Sequence, residues 1–178
     1  YLVRDFCPVA PDRLIACGVI PVIGIDDAIA ELKFCKEGGL KAVTLNEFPS
    51  GQKAPLPEDD RFWETALSLG MALTSHIYFG RRYPPYISER GNLPSAARAA
   101  LAARLAIRQV GFAPMYTVTQ LIASGVFDRF PQLQIYFAET NASWLACALW
   151  QMDDNYEVFR QVGALNAPLA MKPSEYFA

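Results

Sequence analysis

One imidazole, His76, stands at the end of an apolar run and ahead of a long loop, and it is the only histidine among 178 residues. Neutral imidazole is the commonest protein metal ligand, and a ring on a rigid strand end is held in one orientation. Catalytic zinc sites take about three protein ligands plus water, so His76 needs partners. Glu139 closes a second apolar run and is followed by Thr140, Asn141 and Ser143. A carboxylate there can supply a second donor or exchange a proton during catalysis. Equally, it can cap a helix that opens near Ser143 or Trp144. Arg81 and Arg82, with Tyr83 and Tyr86, form a basic aromatic loop suited to a substrate carboxylate and ring. The plainer reading of that loop is a proline-ordered surface connection. Asn46 and Glu47 end another run and read as a polar strand end that solvates its loop. No Gly-x-Ser-x-Gly elbow occurs, and no cysteine stands at a strand end beside a long loop, so nucleophilic chemistry has little support.

The elements that must position these residues follow an alternating pattern. The apolar run 14–20 is stopped by Pro21 and suits a strand buried on both faces. Asp26 is placed to cap the helix that follows, which carries Ile29, Leu32 and Cys35 on one face and stops at Gly38 and Gly39. Residues 41–45 read as a second strand, followed by a proline-interrupted loop, an Asp59 or Asp60 cap and a helix ending at Gly70. Residues 71–76 form a third strand. An alanine-rich helix is predicted over 95–109, another from about Pro114 to Gly125, a fourth strand over 134–139 and a final helix over 144–160. Trp63, Trp144 and Trp150 fall in helical patterns and are expected to pack helix against sheet. Strand–helix–strand units of this length build a parallel sheet with helices outside. A complete eight-stranded barrel typically takes about 250 residues, so four strands amount to about half of one. The alternative, an open doubly wound sheet, lacks the Gly-x-Gly-x-x-Gly turn of nucleotide binding.

Hydrophobic residues make up 52% and charged residues 19%, which is the composition of a folded domain. A net charge of −2 provides no field for nucleic acid or an anionic membrane. Cys7, Cys17, Cys35 and Cys147 fit no zinc module and read as reduced thiols packed as small hydrophobes. The opening YLVRDFCPVAPDR has no secretory pattern, and no apolar run approaches the roughly 20 residues of a bilayer span. A cytoplasmic location is therefore expected, with a small-molecule substrate rather than a macromolecular partner. A homo-oligomer is left open. The first residue is not methionine, so the natural N-terminus is not expected to be present.

The segments APDRLIACGVIPV, DDAIAELKFCKEGGLKAVTL and MALTSH, and above all SGVFDRFPQLQIYFAETNASWL followed by MDD and PSEYF, resemble the amidohydrolase-related (amidohydrolase 2) family of the metal-dependent hydrolase superfamily. The resemblance runs through the whole chain. It implies an α/β fold, a partial (β/α)8 TIM-like barrel lacking its first and last strands, as one incomplete domain over residues 1–178. It also implies a divalent metal, zinc or else manganese, bound by the histidine that matches His76. Members include aminocarboxymuconate-semialdehyde decarboxylase and related aromatic-acid decarboxylases, so hydrolysis and decarboxylation are both implied. Many members carry a second histidine where this chain has Glu139, and an acid/base role passes to Glu139 on that match. The family's first-strand His-x-His motif and its late Ser-Asp-x-Pro aspartate are absent, so the chain is expected to be an inactive portion of an enzyme. A non-catalytic α/β binding or structural module is the alternative.

Overall fold

In the computed structural model, which describes residues 1–76, 112–162 and 168–177, the apolar runs become one sheet of four parallel strands. They are β1 (Cys17–Val19), β2 (Ala42–Leu45), β3 (Ala72–His76) and β4 (Ile135–Ala138), hydrogen-bonded in sequence order. Helix α1 (Ile25–Glu37) joins β1 to β2, and α2 (Asp60–Ser68) joins β2 to β3. Helices α3 (Phe112–Ala123) and α4 (Val126–Arg129) precede β4, and α5 (Leu145–Gln161) follows it. A 3-10 turn, Pro173–Tyr176, lies on α5 and α3. The predicted helix over 95–109, with Arg81, Arg82, Tyr83 and Tyr86, lies outside the described residues.

Alternation along each strand divides the sheet into two faces. Val43, Leu45, Leu73 and Ser75 point to one side and are buried against Ala28 and Leu32 of α1 and Phe62, Trp63 and Ala66 of α2. Leu121, Val126 and Leu133 extend this core beneath Ile135 and Phe137. Helix α1 sits close on β1 because residue 18 is glycine: a Cβ there would stand 2.3 Å from Cys35 Sγ. On the opposite face the register aligns Val19, Thr44, Thr74 and Tyr136 in one row, with His76 beside Ala138 in a row nearer the carboxyl ends. No described element covers this second face, and Val19 and Tyr136 are exposed on it.

That asymmetry corrects the reading of 14–20 as a strand buried on both faces. The strand is only Cys17–Val19, its end residues exposed and its centre half-buried. Asp26 is not the cap of α1: the helix begins at Ile25 after Gly24, and Asp26 lies in the first turn, where it accepts from Arg61 at 2.8 Å. Asp59 occupies the capping position of α2 without capping it. Its fully buried carboxylate instead accepts from Ser50 N (2.6 Å), Leu56 N (2.7 Å) and Ser50 Oγ (3.0 Å), folding the β2–α2 loop onto itself. Burial pushes the Asp59 carboxyl above its ordinary value, and the donations from Leu56 and Ser50 oppose that rise. Trp63 is buried as expected, whereas Trp150 is 71% exposed, because α5 turns that side away from every described element. Among the cysteines only Cys35 is buried; Cys17 and Cys147 are exposed, and all four are free thiols.

Candidate functional site

Ligands in parallel α/β folds gather outside the carboxyl ends of the strands. Two of the titratable groups expected there come together. His76 is the last residue of β3, and its register partner on β4 is Ala138. Glu139 follows immediately, so one residue of chain brings the carboxylate level with the ring. His76 Nε2 and Glu139 Oε2 are 3.2 Å apart. The imidazole is half-buried and the carboxylate exposed.

Glu139 does not reach this position from ordinary strand backbone. Its φ is +55°, and that of Asn141 is +58°. Left-handed backbone costs a residue with a Cβ on the order of 1–2 kcal/mol, although asparagine tolerates it best. The chain thus turns sharply at the end of β4. Three local contacts hold the turn: Trp144 Nε1 donates to the carbonyls of Thr140 (3.1 Å) and Asn141 (3.0 Å), and Ala142 N donates to Asn141 Oδ1 at 2.7 Å. Thr140 itself is buried. Glu139 therefore pairs with His76 across the strands, and α5 begins later, at Leu145, with Trp144 in the capping position.

The remaining candidates are distributed differently. Asn141 is two residues from Glu139, but its side-chain oxygen is taken up by its own turn. Asn46 is exposed and Glu47 half-buried at the end of β2. Arg81 and Arg82 lie outside the described residues. Among the described residues no group of three or more His, Cys, Asp or Glu side chains gathers that could hold a metal ion. An apolar hollow of about 480 Å³ lies behind β4, lined by Ile135, Phe137, Val118 and Met171, on the face opposite His76. The role of Trp144 in the turn was not foreseen from sequence. The only sequence signal for it is an aromatic placed one helical turn after the strand-end polar cluster.

Residues 2–174 match the family model described as amidohydrolase. The crystal structure of an amidohydrolase from Mycobacterium avium subsp. paratuberculosis K-10 is similar with a TM-score of 0.62 at 18% identity, over 94% of this chain and 41% of that one. The chain thus spans about two fifths of the length of that solved relative. At this identity the likeness concerns the fold: a parallel four-stranded sheet with flanking helices, matching part of an amidohydrolase barrel. None of the curated proteins compared matches the chain. No helix among the described residues is long and apolar enough to cross a membrane.

Proposed function

The chain belongs to the amidohydrolase family, and on that premise we propose that it carries part of a metal-dependent site for hydrolysis or decarboxylation of a small carboxylate- or carbonyl-bearing substrate. The observation that carries this reading is the His76–Glu139 pair, set at the ends of neighbouring parallel strands with 3.2 Å between Nε2 and Oε2. Zinc takes imidazole and carboxylate donors at about 2.0–2.2 Å, so two donors with this spacing can share one ion with little movement. The pair thus offers two of the roughly three protein donors that a catalytic zinc site takes. His76 would hold the ion, with Glu139 as a second donor or as the group that moves a proton at Oε2. When bound, such an ion supplies Lewis acidity to a substrate carbonyl or carboxylate.

The chain's own side chains contribute the rest. Arg81 and Arg82 are proposed to take a substrate carboxylate through paired N–H donors, and Asn141 to add a hydrogen bond. An aromatic carboxylate of the kind handled by the family's aromatic-acid decarboxylases would suit Tyr83 and Tyr86, next to these arginines in the sequence. The 178 residues are proposed to be one incomplete barrel domain, cytoplasmic in setting and inactive alone. A second reading, a non-catalytic α/β binding module, rests on the same pair, since a His–Glu contact can close a strand end without turning over a substrate.

Metal analysis of the intact protein separates these readings. His76→Ala is expected to lower divalent metal content and activity together, and Glu139→Gln to lower turnover more than metal content. Wild-type metal and activity in His76→Ala would reduce the ring to a structural histidine.

A further inference from the structure

Glu139 meets His76 only because the chain leaves β4 through a turn with two non-glycine residues in the left-handed region, at 139 and 141. Such backbone persists where its surroundings over-determine it. The group placed to do this is the indole of Trp144. Its single N–H lies within hydrogen-bond distance of two successive carbonyl oxygens, 3.1 Å from Thr140 and 3.0 Å from Asn141. A donor shared between those two carbonyls fixes the orientation of the peptide groups on either side of Asn141. Thr140 Oγ1 also donates to the Asn141 carbonyl, at 3.3 Å. Trp144 is half-buried in the capping position of α5, so the helix carries the ring on a rigid base.

We propose that Trp144 is the positioning residue of this site: its indole N–H locks the 139–141 turn and thereby aims Glu139 at His76. The inference rests on the reading of His76 and Glu139 as a functional pair. It assigns Trp144 no contact with substrate or metal. Phenylalanine at 144 would keep most of the ring and remove the N–H. The turn would then lose the donor common to its two carbonyls, and Glu139 would relax towards extended backbone, where its side chain alternates away from the ring of its neighbour.

Because His76 is the only histidine in the chain, its two ring nitrogens can be observed without assignment ambiguity in the 15N-labelled protein. Glu139 Oε2 stands 3.2 Å from Nε2, so the ring 15N shifts report whether that carboxylate is in place. Two measurements at fixed pH on the full chain test the proposal: the ring 15N shifts, and the φ-dependent HN–Hα couplings of Glu139 and Asn141. Trp144→Phe is expected to change both couplings and to move the ring shifts in the same direction as Glu139→Gln, by a comparable amount. Adding Asn141→Gly to Trp144→Phe removes the steric penalty at one left-handed position; the Ala142 N–H that loses Asn141 Oδ1 belongs to an exposed residue and can turn to water, so the ring shifts are expected to return part of the way. A tryptophan that merely fills space would show no such rescue, and the double variant also serves if Trp144→Phe alone folds poorly. Couplings or ring shifts left at wild-type values in Trp144→Phe would overturn the proposal. Ring shifts unmoved by Glu139→Gln would instead overturn the pair itself, independently of what the couplings say about Trp144.

Discussion

Replacing Asp59 by alanine tests whether the long β2–α2 loop is held by a buried carboxylate. Asp59 is fully buried and accepts three hydrogen bonds, two from Ser50 and one from Leu56 N. Alanine leaves all three donors without their acceptor. Leu56 is exposed, so its N–H can turn to water, whereas the two donors of Ser50 lie in a buried segment with Phe48 and Pro49. Each buried donor left unmatched costs about 1–3 kcal/mol. Removing the carboxylate also relieves its desolvation, which offsets part of the loss. The net expectation is a destabilisation of about 2–4 kcal/mol, read as a fall in urea midpoint with unchanged slope, followed by the fluorescence of buried Trp63. The pH dependence carries a sign. Burial raises the folded-state pKa of Asp59 above the unfolded one, so the folded chain binds that proton more tightly. The stability this group contributes is greatest below the unfolded value and declines as pH rises through the folded value. Asp59→Asn should remove that decline. A loss below 1 kcal/mol in Asp59→Ala, or wild-type stability that climbs relative to Asp59→Asn over the same interval, would refute the reasoning.

Two further outcomes follow from contacts elsewhere. The Tyr176 hydroxyl donates to Asp128, and burial together with that carboxylate pushes the phenol up to about 12. The stability it supplies is full below the ordinary tyrosine value of 10.0 and is lost as pH rises through about 12; an alkaline absorbance titration should show a late phenol that Tyr176→Phe removes. Gly18→Ala places a methyl group 2.3 Å from Cys35 Sγ and should destabilise by about 1–3 kcal/mol of overpacking. In the double variant with Cys35→Ala, most of that loss should be recovered; additive losses in denaturation would show that the strain lies elsewhere.

His76 and Glu139 were legible in the sequence because each is a polar residue that ends an apolar run. That they would meet was not. Contact requires the pairing of His76 with Ala138 and a left-handed Glu139, and no glycine marks the turn. The parallel order was readable from the repeated strand–helix units, but periodicity does not say whether anything covers a face. Val19 and Trp150 looked like core residues for that reason and are exposed. The pair Asp59–Asp60 offered two equivalent caps. Only the folding of the loop decides that Asp59 is buried while Asp60 takes a bidentate contact from Arg129, at 2.7 and 2.9 Å. The family resemblance read from SGVFDRFPQLQIYFAETNASWL agrees with the family match. The identity of a substrate does not follow from either.

The strand pairing also sets an order of assembly. β1, β2 and β3 are neighbours in space separated by one helix each, whereas β3 and β4 pair across everything from residue 77 to residue 134. The entropy of closing a loop rises with its length, by roughly 0.6 kcal/mol per doubling, and it must be met before the contacts form. The first three strands are therefore expected to associate first and β4 to dock after them, an order that strand-resolved hydrogen exchange during refolding would check. His76 rides on the early part and Glu139 on the late one. The pair is complete only when the last strand is home, and a fluctuation that frees β4 alone would separate it while leaving most of the sheet intact. Loss of the His76–Glu139 contact thus becomes an early sign of partial opening, well before the core around Trp63 is exposed.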